Sequence, residues 1–300
     1  MRIRRSVRAG SWYSGSKEAL LREIKAMYEH EVGPGLEPPA VEQRSNEKKI
    51  LGVISPHAGY SCSAPTATHG FLALAKDRQN LDTVLLLGNR HSWGGPEVSV
   101  ADHDAWETPL GTVQVNKTFV NKIDLEKKQL EEGSKLIELD TTAHADEHSI
   151  ELQLPFLQHL YSDFQIVPIA IGNLPVRHTI TLGKFFADLI ISEGLEETTV
   201  AVASTDMTHG NMYNLNHQEV SRRDQFAIEA IIQRDPAALE AAVKKHDISM
   251  CGEGPTKVLL SLTEKLGAKS AKLLNYATSG QTCGPMSAVV GYASVVIRKD

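Results

Sequence analysis

The sequence predicts an α/β fold, in which a largely parallel or mixed central sheet is covered by helices on both faces. Short apolar runs rich in Val, Ile and Leu alternate with amphipathic stretches, and three of these runs stop at a polar turn that contains a histidine. Runs of this kind are typical of buried parallel strands. Because parallel strands need crossover connections, the intervening helical stretches predict the same architecture.

The elements are predicted in chain order. Residues 17–30 form an amphipathic helix, and the Gly- and Pro-rich residues 33–39 form an exposed loop. Further helices are predicted over 64–74, 147–160, 178–192, 218–233, 236–245 and 255–266. Strands are predicted over 50–54, 84–87, 165–171, 200–203, 272–277 and 288–297. Since no segment resembles a linker, residues 1–300 are predicted to form a single domain.

The charge balance argues against a nucleic-acid surface, because 37 acidic residues outnumber 31 basic ones. No apolar stretch approaches the roughly 20 residues that span a bilayer. The N-terminal arginines lead directly into 9–13 without the apolar segment of a signal peptide. We therefore expect a cytoplasmic protein that binds neither nucleic acid nor membrane.

The three cysteines, Cys62, Cys251 and Cys283, are too few to suggest a disulfide framework. Cys251 precedes a helix predicted to begin near Pro255, whose positive end would lower the thiol pKa and favour a metal-binding thiolate. The alternative is a buried structural cysteine. Cys62 and Cys283 are interpreted as structural thiols in a reducing compartment.

Histidines follow the predicted strands. His57 and His91 each lie just beyond a strand, and Asp206 and His209 follow a third. In open α/β sheets, ligands bind beyond the carboxyl ends of the strands. Imidazoles there indicate a metal site, acid–base chemistry or both. The alternatives are histidines bonded to nearby carbonyl groups and, for 206–209, an ordinary polar loop.

The segment 146–151 opens a predicted helix. Asp146 and Glu147 are interpreted as stabilising its dipole. A cation is disfavoured at that position, so His148 is predicted to be neutral and to contact a ligand residue or the substrate. Trp12 and Tyr13 could line a pocket or anchor the N-terminus.

Taken together, these segments resemble the Memo family (mediator of ErbB2-driven cell motility), which occurs from archaea to humans. The resemblance spans nearly the whole chain, in the order of that family, through 9–13, 56–60, 87–91, 146–151, 204–209, 251–252 and 275–277. It implies a fold similar to the class III extradiol dioxygenases, which hold non-haem iron with two histidines and a glutamate. In Memo proteins a cysteine replaces that glutamate.

The resemblance assigns the metal ligands to His57, His91 and Cys251. It assigns the acid–base histidine to His209, with Asp206 beside it. The substrate pocket is predicted to contain Trp12, Tyr13, Tyr60 and Arg90.

The chain departs from the family beside His91. Animal members have a second histidine where this chain has Ser92, and Pro-Ser where it has Asn89-Arg90. Arg90 places a guanidinium close to the predicted site, which could change its anion preference.

The first functional hypothesis is a metal-dependent, dioxygenase-like oxidoreductase. Iron(II) is the expected metal, with copper or zinc as alternatives, because two imidazoles and a thiolate suit all three. His209 would move protons, while Asp206 and His148 tune the site. The second hypothesis is a metal-binding scaffold without turnover that takes a peptide or protein partner in the same crevice, and the third is a zinc hydrolase with His209 as base. The substrate is expected to be a small molecule or a peptide, and the oligomeric state is left open.

Overall fold

A computed structural model describes residues 1–92, 94–130 and 136–300. The strands are β1 (Ile3–Arg4), β2 (Ile50–Ser55), β3 (Thr83–Asn89), β4 (Val98–Ala101), β5 (Ala105–Thr108), β6 (Gly111–Val115), β7 (Ile137–Asp140), β8 (Gln165–Ile171), β9 (Thr199–Ser204), β10 (Ser270–Thr278) and β11 (Gly291–Arg298). The helices are α1 (Lys17–Glu29), α2 (Tyr60–Asp77), α3 (Lys117–Glu126), α4 (Leu154–Leu160), α5 (Val176–Ser192), α6 (His217–Gln233), α7 (Pro236–His246), α8 (Glu253–Lys265) and α9 (Ser279–Thr282).

The strands form one mixed sheet in the order β1-β5-β6-β8-β3-β9-β2-β11-β10, and β4 pairs with β7 and β8. Its centre, β8-β3-β9-β2, is parallel, whereas β11 and β10 add antiparallel strands beside β2. In the central register Leu87 and Ile54 both pair with Ala203. The carboxyl ends of β2, β3 and β9 are therefore level, and the chain leaves all three at the same edge of the sheet.

Helices cover both faces of this centre. A Cβ atom at Gly52 of β2 would lie 2.8 Å from Leu259 Cδ1 of α8, and one at Gly70 of α2 would lie 2.7 Å from Val53 Cγ1. Successive strand residues point to opposite faces, so α8 and α2 pack on opposite sides of β2. Burial on both faces explains why the central strands are apolar without alternation. The predicted single-domain α/β class is confirmed, with one continuous hydrophobic core.

The predicted helix 147–160 is wrong at its start. Residues 147–148 have no regular secondary structure, 149–150 form a turn, Glu151–Gln153 form a single 3-10 turn, and α4 begins only at Leu154. Pro155 lies in the first turn of α4, where its missing N–H costs no helical hydrogen bond. The sequence predicts no element over 98–140, although this region holds β4 to β7 and α3. These strands have at most five residues, too few to show a clear period.

The interpretation of Cys62 and Cys283 as separate thiols is wrong. They form a disulfide that links α2 to the residue following α9, across 221 residues of sequence. Cysteine spacing alone does not reveal such a pairing. Cys251 remains a free thiol.

In the part of the chain that the structure describes, no helix is both long enough and apolar enough to cross a membrane.

Candidate metal centre

The sheet brings the predicted site residues together at one edge. His57, His91 and Asp206 each lie two residues beyond the last residue of β2, β3 and β9. Because these strands are parallel neighbours with level ends, their following residues share one crevice. The rest of the crevice is formed by the residues that precede α4 and by those that precede α8.

Three imidazoles meet in this crevice. One candidate ligand atom from each of His57, His91 and His148 lies within 4.8 Å of the other two. The His91 and His148 rings stack at 4.4 Å between centroids, and Cys251 Sγ lies 3.3 Å from His57 Nε2. Three nitrogen donors thus converge in the crevice, and the Cys251 sulfur lies beside the His57 donor without belonging to that 4.8 Å group.

Hydrogen bonds fix the tautomer of His57. Its Nδ1 lies 2.9 Å from Ser204 Oγ, and the Ser204 hydroxyl donates its hydrogen to the Ser149 carbonyl oxygen at 2.7 Å. The serine oxygen must therefore accept from His57 Nδ1–H. The lone pair is left on Nε2, the nitrogen that faces Cys251. Burial, and then the proximity of His91, lower the pKa of His57 well below its ordinary value.

His91 is oriented by Glu147. Its Nδ1 lies 3.1 Å from both carboxylate oxygens of Glu147, and its backbone N–H donates to Oε2 at 2.9 Å. Burial alone would raise the pKa of Glu147, but hydrogen bonds from His91 and Ser149 outweigh it and lower that pKa. A carboxylate that accepts from Nδ1–H leaves Nε2 free for a metal, as is usual for histidine ligands.

The interpretation of Glu147 as a helix-dipole acid is therefore wrong, since no helix begins there. A sequence signal existed: Glu147 directly precedes His148 in one of the segments that resemble the family.

His148, which the sequence predicts to contact a ligand residue or the substrate, is the third imidazole of the cluster and stacks on the His91 ring. Its Nδ1 is buried and has no hydrogen-bond partner among residues 1–92, 94–130 and 136–300. Burial, followed by the proximity of His57 and His91, lowers the pKa of His148 to about 3. The expected neutral state is thus present, but burial causes it and a helix terminus does not.

The thiol of Cys251 is hydrogen-bonded to the segment that follows β9. Its Sγ accepts a hydrogen bond from the Asp206 backbone N–H at 3.2 Å. Burial and then the Asp206 carboxylate raise the pKa of Cys251, so the expected lowering by the start of α8 is wrong. A cation in the crevice would be needed to favour the thiolate.

Asp206 and His209 have different surroundings. Asp206 is buried, and its carboxylate accepts the backbone N–H of His57 at 2.8 Å. Burial raises the pKa of Asp206 although His209 and that N–H oppose the shift. His209 Nδ1 lies 2.8 Å from the Ser249 carbonyl oxygen, which can only accept, so the lone pair of His209 is on Nε2. Asp206 therefore holds the strand ends together, whereas His209 carries a nitrogen that can accept a proton.

The four predicted pocket residues divide into two groups. Tyr13 and Tyr60 are buried, with their hydroxyls donating to Glu151 Oε1 at 2.7 Å and to the Leu152 carbonyl at 2.9 Å. Trp12 is partly exposed, and its ring contacts that of His148 at 4.6 Å. Arg90 lines a cavity of about 340 Å³ together with metal-site residues. Trp12 and Arg90 therefore face space that a ligand can reach. Tyr13 and Tyr60 lie in the core and support that part of the site.

Comparison with known proteins identifies the family of this chain. A family model described as Memo-like protein matches residues 4–296. This chain belongs to the Memo-like family. A MEMO1 family protein of Methanopyrus kandleri is 37% identical over 292 residues, which cover 97% of each chain. A MEMO1 family protein of Methanocaldococcus jannaschii is 38% identical over 304 residues, covering 99% of each. Membership, predicted from the motifs, is confirmed.

Among solved structures, an uncharacterized protein of Escherichia coli K12 is similar with a TM-score of 0.55 and 14% identity, over 83% of this chain and 100% of that one. At this identity the likeness concerns the fold alone. The relation of this Memo-like chain to extradiol dioxygenases stays a prediction.

Proposed function

We propose that this Memo-like protein is a metal-dependent oxidoreductase. Iron(II) or copper would be held by His57, His91 and Cys251, with His148 as an adjacent fourth donor. The observation that carries the proposal is the convergence of three imidazole nitrogens within 4.8 Å, with a free thiol 3.3 Å from one of them.

The side chains fit a metal ion in three respects. His57 and His91 both have Nδ1 bonded to an oxygen, which leaves Nε2 as the donor. The buried Nδ1 of His148 has no partner in the described ranges, and a buried polar atom of this kind calls for an explanation. Imidazole and thiolate donors also form a borderline-soft set that accepts iron(II), copper or zinc.

A bound metal would supply Lewis acidity and a redox couple in the crevice. The chain itself supplies the proton transfer. His209 Nε2 can take a proton from a substrate hydroxyl, and its Nδ1–H keeps the Ser249 carbonyl as partner in both charge states. Asp206 keeps the His57 backbone in place and is not required to change its charge.

The three-imidazole cluster favours one second candidate, a zinc hydrolase, because three histidines and an open position are a common catalytic zinc arrangement. His209 would then act as base toward water. The cytoplasmic location and the nature of the substrate, a small molecule or a peptide, stay predictions.

The test is metal analysis of protein purified without oxygen, followed by measurement of oxygen consumption after loading with iron(II), copper or zinc across a broad substrate panel. We expect iron or copper in the purified protein and oxygen uptake above that of the free metal. His209→Ala should retain the metal and lose activity by roughly 10²- to 10⁴-fold. His217→Ala is the matched control, since His217 bonds Thr278 outside the cluster.

Zinc with hydrolysis and no oxygen uptake would replace the proposal by the second candidate. Bound metal with no turnover of any kind would favour the metal-binding scaffold. Protein that binds no metal would overturn all three readings.

A further inference from the structure

We propose that Arg90 makes the cavity beside the metal centre a binding site for small molecules that carry a carboxylate. The inference rests on the proposed function, because the other end of such a molecule would face the metal. It adds a substrate class that the metal ligands alone do not define.

The cavity and the metal centre share walls. Its volume is about 340 Å³, a size suited to a small molecule. Three segments line it: 89–92 at the end of β3, 172–173 after β8, and 250–251 with 253–254 at the start of α8. His91 and Cys251 belong to both the cavity and the centre, so an occupant of the cavity lies next to the proposed metal.

Arg90 is held in place with part of its donor capacity free. Nη1 donates to the Gly95 carbonyl at 3.1 Å, and Nη2 donates to Glu97 Oε1 at 3.0 Å. A guanidinium has five N–H donors, so three are unpaired within the described residues, and the buried Nε–H is one of these three. Arginine pairs well with carboxylates because its planar fork can donate two parallel hydrogen bonds.

Two further side chains and two backbone groups around the cavity also offer donors. The side-chain amides of Asn89 and Asn173 form no hydrogen bond with the rest of the described chain. The helix α8 has no side-chain cap, and the backbone N–H groups of Glu253 and Gly254 at its positive end have no partner in the described ranges. Donors from three segments thus favour an anion over a neutral or cationic ligand.

The two acidic side chains near the cavity already have cationic partners. Glu97 pairs with Arg90, and Glu253 Oε1 lies 2.7 Å from Nζ of the fully buried Lys257. Lys257 Nζ also lies 2.8 Å from Glu240 Oε1, so one ammonium serves two carboxylates and the negative charge of Glu253 is only partly balanced. Glu97 instead competes with a ligand for Arg90, which predicts that loss of its charge strengthens anion binding.

The first experiment compares benzohydroxamate with 4-carboxybenzohydroxamate, since both present the same metal-binding group and only one carries a carboxylate. Calorimetric titration of zinc-loaded protein should show tighter binding of the carboxylated compound. In Arg90→Gln this preference should fall about tenfold or more, with benzohydroxamate affinity unchanged. Glu97→Gln should increase the preference, and Arg223→Gln, at an exposed pair with Asp247, should leave it unchanged. Equal affinities for the two compounds in the wild-type protein would overturn the proposal.

The second experiment needs no metal. Malonate is titrated into metal-free protein while the ¹⁵N-coupled Nε–H signal of Arg90, assigned by its loss in Arg90→Lys, is followed. A saturable shift of that signal supports the anion site even if metal loading fails, in which case only the proposed function falls. Metal binding without any shift or carboxylate preference overturns the anion site and leaves the proposed function intact.

Discussion

His144 and His148 lie four residues apart in the irregular segment between β7 and α4, yet only one of them belongs to the candidate metal centre. Burial lowers the pKa of His144 to about 4 and that of His148 to about 3. Each has a buried Nδ1 without a partner in the described chain. His144 Nε2, however, lies 3.0 Å from the Ser99 carbonyl and its ring faces Trp106, whereas His148 stacks on His91.

The difference shows that burial and a neutral imidazole do not define a ligand. His144 is a core histidine whose Nε2–H has a carbonyl partner. His148 lies among donors from separate strand ends, and those donors have their own nitrogens oriented by Ser204 and Glu147. His148 differs from His144 because several donor atoms converge around it.

The largest expected effect is on metal affinity. A structural metal site contributes roughly 10–16 kcal/mol, so each of three or four ligands accounts for several kcal/mol. His57→Ala should therefore weaken metal binding by more than about 100-fold, while His144→Gln should leave it unchanged. Competition with a coloured chelator measures both. A His144→Gln variant that loses metal as strongly as His57→Ala would remove the distinction between the two environments.

The next effect is on the pH dependence of the free energy of unfolding. His144 and His148 should both contribute to it in the same direction. Between pH 4 and 6.5 the unfolded chain binds a proton at residue 144 that the folded chain does not, so the free energy of unfolding rises with pH across this window. His144→Gln should make the rise smaller by about 3 kcal/mol, and His148→Gln should act in the same direction. Urea denaturation of the metal-free proteins at several pH values measures the change. An unaltered pH dependence in His144→Gln would contradict the lowered pKa.

The smallest effect concerns the residue that orients a ligand. Glu147→Gln keeps the size of the side chain but removes the carboxylate that fixes His91 Nδ1–H, and metal affinity should fall about 10- to 100-fold. Asp146→Asn is the matched control, because Asp146 is exposed and pairs with Arg8. If the two variants bind metal equally well, Glu147 does not orient the ligand.

The sequence alone predicted the features that follow from the pattern of apolar strands. Apolar runs closing at His57, His91 and Asp206 predicted both the parallel sheet and the edge where these residues meet. The motifs predicted the family. Properties set by distant contacts were not accessible: the Cys62–Cys283 disulfide joins residues far apart in sequence, and the pKa of Cys251 depends on burial and on Asp206.

The sequence predicts that His148 contacts a ligand residue or the substrate, but it does not predict that the ring joins the donor cluster. The pattern of 146–151 is typical of a helix start, whereas in the structure no helix begins there and the His148 ring stacks on that of His91. Local propensity did not reveal the hydrogen bonds from His91 and Ser149 to Glu147 that accompany this conformation.

Whether His57, His91 and Cys251 bind one ion together is tested most directly by X-ray absorption at the zinc edge of zinc-loaded protein, compared with Cys251→Ser. We expect imidazole scattering from at least two histidines and a sulfur shell near ~2.3 Å that disappears in Cys251→Ser. A wild-type spectrum without imidazole scattering, or a sulfur shell that persists in Cys251→Ser, would contradict the proposed centre.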